Sequence, residues 1–214
     1  MKRKFSILLL ALICSLFLTH IVSSAVMQQS KYYSLGTIYQ SNFSTPLYAN
    51  DKVVAEYNGM TIHSSILAQQ REIYRLTDTQ PPSDREIIDQ IIEKKILEEE
   101  AARQGLSATQ AEIDEMVQSV KDSYELPDGK KILDDYCQGA GITLEEYFDL
   151  VREQAPSILA RRKLETALGQ EYCQEHGLEY TKVNPPKEMT EAVDQAIEEL
   201  VQAHADEIQY YLED

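Results

Sequence analysis

Apolar residues follow three regimes along this chain of 214 residues. An apolar run from Phe5 to Phe17 opens it and weakens over Leu18 to Val22, where Thr19 and His20 enter. Val26 to Asn50 is rich in Gln, Ser, Tyr, Thr and Asn and sustains neither a 3.6-residue nor a 2-residue period, so it is expected to be a polar linker. From Val53 onward the pattern becomes periodic. Val53 to Tyr57 and Met60 to Ile62 flank Asn58-Gly59, the preferred pair for a type I′ turn, which predicts a short β-hairpin. Such a hairpin is not stable alone and must pack on the segments that follow.

Those segments read as helices. The first starts near Ser64 or Ser65 with Ile66, Leu67, Ile73 and Tyr74 on one face, and ends before Thr77 to Pro82. Ser83 with Glu86 makes a capping box for a second helix, whose Ile87, Ile88, Ile91, Ile92, Ile96 and Leu97 form a broad aliphatic band that Gly105 closes. Thr109 with Glu112 starts a third, with Ile113, Met116, Val117, Val120 and Tyr124 at helical spacing. Pro127-Asp128-Gly129 predicts a turn and Lys130 to Gln138 a short helix. Thr143 with Glu146 starts a long helix carrying Leu144, Tyr147, Phe148 and Val151. Pro156 is expected to kink or interrupt it before Ile158, Leu159, Leu164 and Leu168 lead to a stop at Gly177. After Pro185-Pro186 a last amphipathic helix is expected from about Lys187 to Leu212, with Val193, Ala196, Ile197, Leu200, His204, Ile208 and Tyr211 on its stripe. The fold class is all-α, mainly helical, with one short N-terminal β-hairpin.

Charge separates the N-terminal regimes from the rest. The first fifty residues hold four of the 20 basic residues and none of the 36 acids, which leaves a net charge of −20 on the remainder. Lys2-Arg3-Lys4 before the apolar run forms the basic and apolar regions of an export signal. Ser23-Ser24-Ala25 offers small residues for cleavage after Ala25; an uncleaved signal anchor through residues 5–22 is the alternative. Cys14 is no lipidation site, because Ile13 stands where a small residue is required. Either way the working part lies outside the cytoplasm, secreted or anchored to the cell membrane. Residues 26–50 form a tether, or their Tyr32, Tyr33, Tyr39 and Tyr48 a contact strip. The acidity excludes nucleic acid as a partner, and membrane contact is expected only through residues 5–22 if these are retained.

No catalytic, cofactor-binding or metal-binding residue emerges. His63, His176 and His204 are scattered, and Glu175-His176 suits a helix C-terminus, where a protonated imidazole favours the macrodipole. Cys137 and Cys173 fit neither a C-x-x-C pair nor zinc spacing, and are either bridged or two unpaired thiols. Glu98-Glu99-Glu100, Asp134-Asp135, Glu145-Glu146 and Glu198-Glu199 are solvated helix faces, since neighbouring residues on a helix point about 100° apart.

The order of these parts is familiar. VVAEYNGMTIHSSIL (Val53 to Leu67), IIDQIIEKKILEEEAARQGLSATQAEIDEMV (Ile87 to Val117) and GITLEEYFDLVREQ (Gly141 to Gln154) together resemble the N-terminal chaperone domain of the SurA and PrsA-like extracytoplasmic foldases, over roughly residues 51–177. Members of that family usually continue into a parvulin-type prolyl isomerase domain. Here residues 178–214 read as a proline-marked linker and one amphipathic helix, with no room for a parvulin domain. The resemblance implies a non-enzymatic, cofactor-free chaperone-like protein that cradles unfolded or partly folded exported polypeptides, with a separate isomerase as a possible partner and the C-terminal helix returning onto the domain. The acidic surface is expected to favour basic or neutral clients. The rival expectation is an envelope-associated adaptor or assembly subunit that holds one specific protein partner. The client-binding surface itself is not identified by any motif.

Overall fold

The structure, a computed structural model, describes residues 28–44, 51–77 and 80–212. It is mostly helical. Seven α-helices appear among the described residues: α1 (Gln28–Ser44), α2 (Ser64–Leu76), α3 (Asp84–Arg103), α4 (Gln110–Tyr124), α5 (Pro127–Ala140), α6 (Leu144–His176) and α7 (Lys187–Ala203). Three strands, β1 (Val53–Tyr57), β2 (Met60–His63) and β3 (Gln209–Tyr210), form one small antiparallel sheet in the order β2-β1-β3. The expected export segment, Cys14 and Tyr48 lie outside the described residues. No helix among the described residues is long and apolar enough to cross a membrane.

Local chemistry sets most boundaries. Asn58 and Gly59 both take positive φ, 43° and 74°, as a type I′ turn requires, and the register Tyr57↔Met60, Glu56↔Thr61 follows from it. All three capping boxes form: the Ser83, Thr109 and Thr143 side chains accept from the backbone N–H of Glu86, Glu112 and Glu146, whose carboxylates accept in return from the cap backbone. Each satisfies two N–H groups that the helix itself leaves unpaired.

Several expectations are corrected. Residues 26–50 are not all linker: α1 is a helix of 17 residues, and its Leu35 (0% exposed) and Tyr39 (4%) lie in the core. Tyr33 is exposed and Tyr32 half-buried, so these tyrosines form no single strip. Pro127-Asp128-Gly129 is not a turn but the start of α5, because proline at the first helical position gives up a donor the helix does not use. Of the kink or interruption expected at Pro156, the interruption does not occur: α6 runs for 33 residues with Pro156 inside it, on its exposed side, where the missing N–H strands no buried carbonyl. The last helix stops at Ala203, and a short 3-10 turn (Ala205–Glu207) leads into β3, which pairs Ala55↔Tyr210 and Glu56↔Gln209. The expected two-stranded hairpin is therefore a three-stranded sheet.

The α1–α5 contact explains how a weakly periodic segment joins the core. A Cβ on Gly36 would lie 2.2 Å from the Tyr136 carbonyl oxygen, and one on Gly139 would lie 2.0 Å from the Tyr33 carbonyl oxygen. Two glycines thus let the helix backbones touch. Leu35 and Tyr39 then pack with Tyr136, Tyr147, Phe148 and Val151 from α5 and α6. A second apolar cluster joins Val54, Tyr57 and Ile62 of the sheet to Ile66 and Leu67 of α2 and the isoleucines of α3, and is flanked by Leu200, Ile208 and Tyr210. A third links α3 to α6 through Leu97, Ala101, Ala160 and Leu164, with Ile197 of α7 against it. The C-terminal helix returns onto the domain.

Candidate functional site

The titratable residues singled out from sequence do not converge. His63 lies 3.5 Å from an Asp51 carboxylate oxygen. His176 Nδ1 lies 2.8 Å from the Tyr172 carbonyl oxygen at the end of α6, and its ring stacks on Tyr172 at 4.0 Å. His204 sits between the Tyr57 hydroxyl (3.3 Å) and Glu207 (3.0 Å). Cys137 and Cys173 are free and buried rather than bridged, and burial pushes the Cys137 thiol up to about 11, the property of a packing residue and not of a nucleophile.

The acidic runs splay as helix geometry requires. Glu98 accepts from Ser157, Glu99 from Asn58 and the Tyr57 hydroxyl, and Glu100 from Arg103 and Gln104. Asp134 accepts from the Tyr124 hydroxyl, whereas Asp135 is buried. Glu146 belongs to its capping box, and Glu198 and Glu199 line a shallow acidic patch on α7. Among the described residues no group of three or more His, Cys, Asp or Glu side chains is placed to hold a metal ion.

What the helices do build is a cleft. Glu112, near the start of α4, pairs with Lys163 of α6, while Lys121, near the end of α4, lies over the Phe148 ring near the start of α6, so the two helices run antiparallel. Between them lies a cavity of about 710 Å³, within the ~300–1,000 Å³ typical of ligand sites. Each helix contributes one face at 3–4-residue spacing: Glu112, Glu115, Met116, Ser119, Val120 and Ser123 from α4, and Leu159, Arg162, Lys163, Thr166, Ala167 and Gln170 from α6. Leu133 and Tyr147, both 0% exposed, add apolar lining, and Met116, Val120 and Leu159 are half-buried. Leu106 and Lys182 come from the turns before α4 and after α6.

One ion pair staples the cleft. The Lys163 ammonium donates to Glu112 at 2.7 Å and to the Ser107 carbonyl at 3.0 Å. That ammonium, followed by the Thr109 backbone N–H and hydroxyl, holds the Glu112 carboxyl down to about 2. The same carboxylate therefore caps α4 and ties it to α6.

No motif in the sequence marks this site. Met116 and Val120 belong to the stripe that also supplies buried Val117, and a stripe wider than one neighbour can cover was the only available sign. No protein-family model matches the chain, and neither does any curated protein or solved structure.

Proposed function

We propose that this chain is an extracytoplasmic chaperone-like protein that holds unfolded or partly folded exported polypeptides in the α4–α6 cleft, without isomerase activity. The observation that carries this reading is the cleft itself: about 710 Å³, apolar at Met116, Val120 and Leu159 over the buried Leu133 and Tyr147, and open along two helices. A groove of that kind suits segments of varied sequence, because apolar contact is non-directional and tolerates different side chains. The resemblance of residues 51–177 to the N-terminal domain of SurA and PrsA-like foldases supports the same reading. Residues 1–25 would deliver the chain across the membrane as a cleaved signal or an anchor.

The test is suppression of aggregation of a reduced, unfolded secreted protein by the purified chain. Wild type should suppress aggregation, and Met116→Asp combined with Leu159→Asp should abolish suppression while leaving the melting temperature within a few degrees. Both side chains are half-buried, and Met116 also packs against the first apolar cluster, so Met116→Gln with Leu159→Gln, which adds no charge, serves as the second variant. Equal suppression by the variant removes the cleft from the reading. Capture of a single stoichiometric partner, with no general suppression, favours the adaptor.

A further inference from the structure

The cleft differs in charge from the protein around it. Over the whole chain acids outnumber bases by 36 to 20. Of the five charged side chains lining the cleft, Lys163 and Glu112 neutralise each other at 2.7 Å. Arg162 and Lys182 then face a single remaining carboxylate, Glu115. Both cations are exposed and neither closes an ion pair among the described residues, although Arg162 is close enough to Glu165 to favour that residue's charged form. Lys182 is held in place locally. The Thr181 hydroxyl donates to the Val183 carbonyl at 2.9 Å and accepts from the Val183 N–H at 3.2 Å, which fixes the turn that carries Lys182. Val183, beside it, is 76% exposed.

Two cations therefore border an apolar cleft on an otherwise acidic molecule. We infer that the α4–α6 cleft selects extended polypeptide segments in which an Asp or Glu side chain stands among apolar residues, the carboxylate meeting Arg162 and Lys182 while the apolar neighbours occupy the groove. This rests on the chaperone reading above and reverses its expected preference for basic clients at the point of contact. The two effects act over different distances. The net negative charge repels acidic chains at long range, but physiological salt screens beyond about 8 Å, whereas an ion pair made inside a partly desolvated groove is screened far less. The apolar lining also leaves a lysine-bearing segment with the penalty of like charge beside Arg162.

The experiment uses the full chain in nanodiscs of zwitterionic lipid and three labelled peptides, identical in their apolar residues and carrying Glu, Gln or Lys at one central position. Binding followed by fluorescence anisotropy should rank Glu over Gln over Lys, with about tenfold between the extremes, as expected for exchanging attraction for repulsion at two partly exposed cations. Arg162→Gln with Lys182→Gln should bring the three within about twofold, and Arg162→Glu with Lys182→Glu should invert the order. Both positions are exposed, so unchanged melting checks that the variants are folded. Equal binding of the three peptides, absence of binding, or a preference for Lys overturns the inference. So does a preference that vanishes when the peptide C-terminus is amidated, which would place recognition on the chain end, and so does self-association that blocks the cleft with a second copy. Aggregation assays on the same sample separate the two readings. Suppression with a flat peptide series sinks this inference and leaves the chaperone reading; a ranked series without suppression does the reverse.

Discussion

Replacing Gly139 with alanine tests the α1–α5 contact, because two effects of opposite sign meet at that residue. In an exposed helix interior, glycine to alanine stabilises by about 0.5–1 kcal/mol. At Gly139 the new methyl would lie 2.0 Å from the Tyr33 carbonyl oxygen, 2.9 Å from the Tyr33 carbonyl carbon and 3.1 Å from the Tyr33 Cα. All three are backbone atoms, so no rotamer change relieves the clash, and α1 must retreat by roughly 1 Å or more; a gap of 0.5–1 Å already forfeits about a quarter to a half of a contact's attraction. The side chains carried away are Leu35 and Tyr39, each worth roughly 1.5–3 kcal/mol of burial. Retreat costs about half of their sum and complete undocking all of it. After subtracting the propensity gain, the net loss is about 1–5 kcal/mol, or a fall of roughly 2–20 °C in melting temperature at about 2–4 °C per kcal/mol for a chain of this size. Thermal unfolding by circular dichroism measures it. Leu35→Ala alone should cost about 2–5 kcal/mol, and less in the Gly139→Ala background, since α1 has already withdrawn. A Gly139→Ala protein that melts at or above the wild-type temperature would refute the close crossing.

Gly59→Val should cost about 1–3 kcal/mol through backbone strain alone, because φ is 74° and the space around its Cβ position is open; Gly59→Asn should cost less, and equal melting of Gly59→Val and wild type would remove the type I′ turn. Tyr210→Ala should cost about 2–4 kcal/mol, since Tyr210 donates to Asp89 at 2.5 Å and lies under Arg85 at 3.3 Å; an unshifted urea midpoint would show that β3 is not part of the folded unit. The Glu112 carboxyl is depressed from its ordinary 4.5 to about 2, so its stabilising effect is complete above the ordinary value and is lost as pH falls toward 2. Melting temperature followed over that window should flatten in Lys163→Met, and an unaltered profile would remove the staple. Cys137 and Cys173 should react with a thiol reagent only on unfolding, whereas prompt labelling of the native protein would contradict their burial.

What was legible in the sequence was local. The Asn58-Gly59 turn and the three capping boxes depend on residues within three or four positions of one another, and each formed where its residues stand. Features that depend on distant partners were hidden. α1 looks like linker because its mid-helix Gly36 weakens it in isolation, and only Gly139, about a hundred positions on, gives that glycine a purpose. Ile208 and Tyr211 continue a helical stripe on paper, but Ile208, Tyr210 and Leu212 also alternate with exposed Gln209 and Tyr211, and pairing with β1 decides for the strand. Pro156 shows a local rule yielding to context on an exposed face. The cleft was least legible of all, since Met116 and Leu159 become a site only through the gap between two helices.

The pairing of β3 with β1 also bears on the order in which the protein completes itself. Tyr211 donates to Glu56 from 155 positions away, so one side of the sheet closes only after nearly all of the intervening chain has emerged. At about 5–20 residues per second of synthesis, β1 emerges roughly 10–30 s before its outer partner. Closing so long a loop adds an entropic barrier that local helix formation does not face. Throughout that interval β1 presents unpaired backbone groups to any neighbouring extended chain. A protein proposed to shelter unfinished chains thus spends part of its own synthesis as one, with a sheet edge that waits for Gln209 and Tyr210 to cover it.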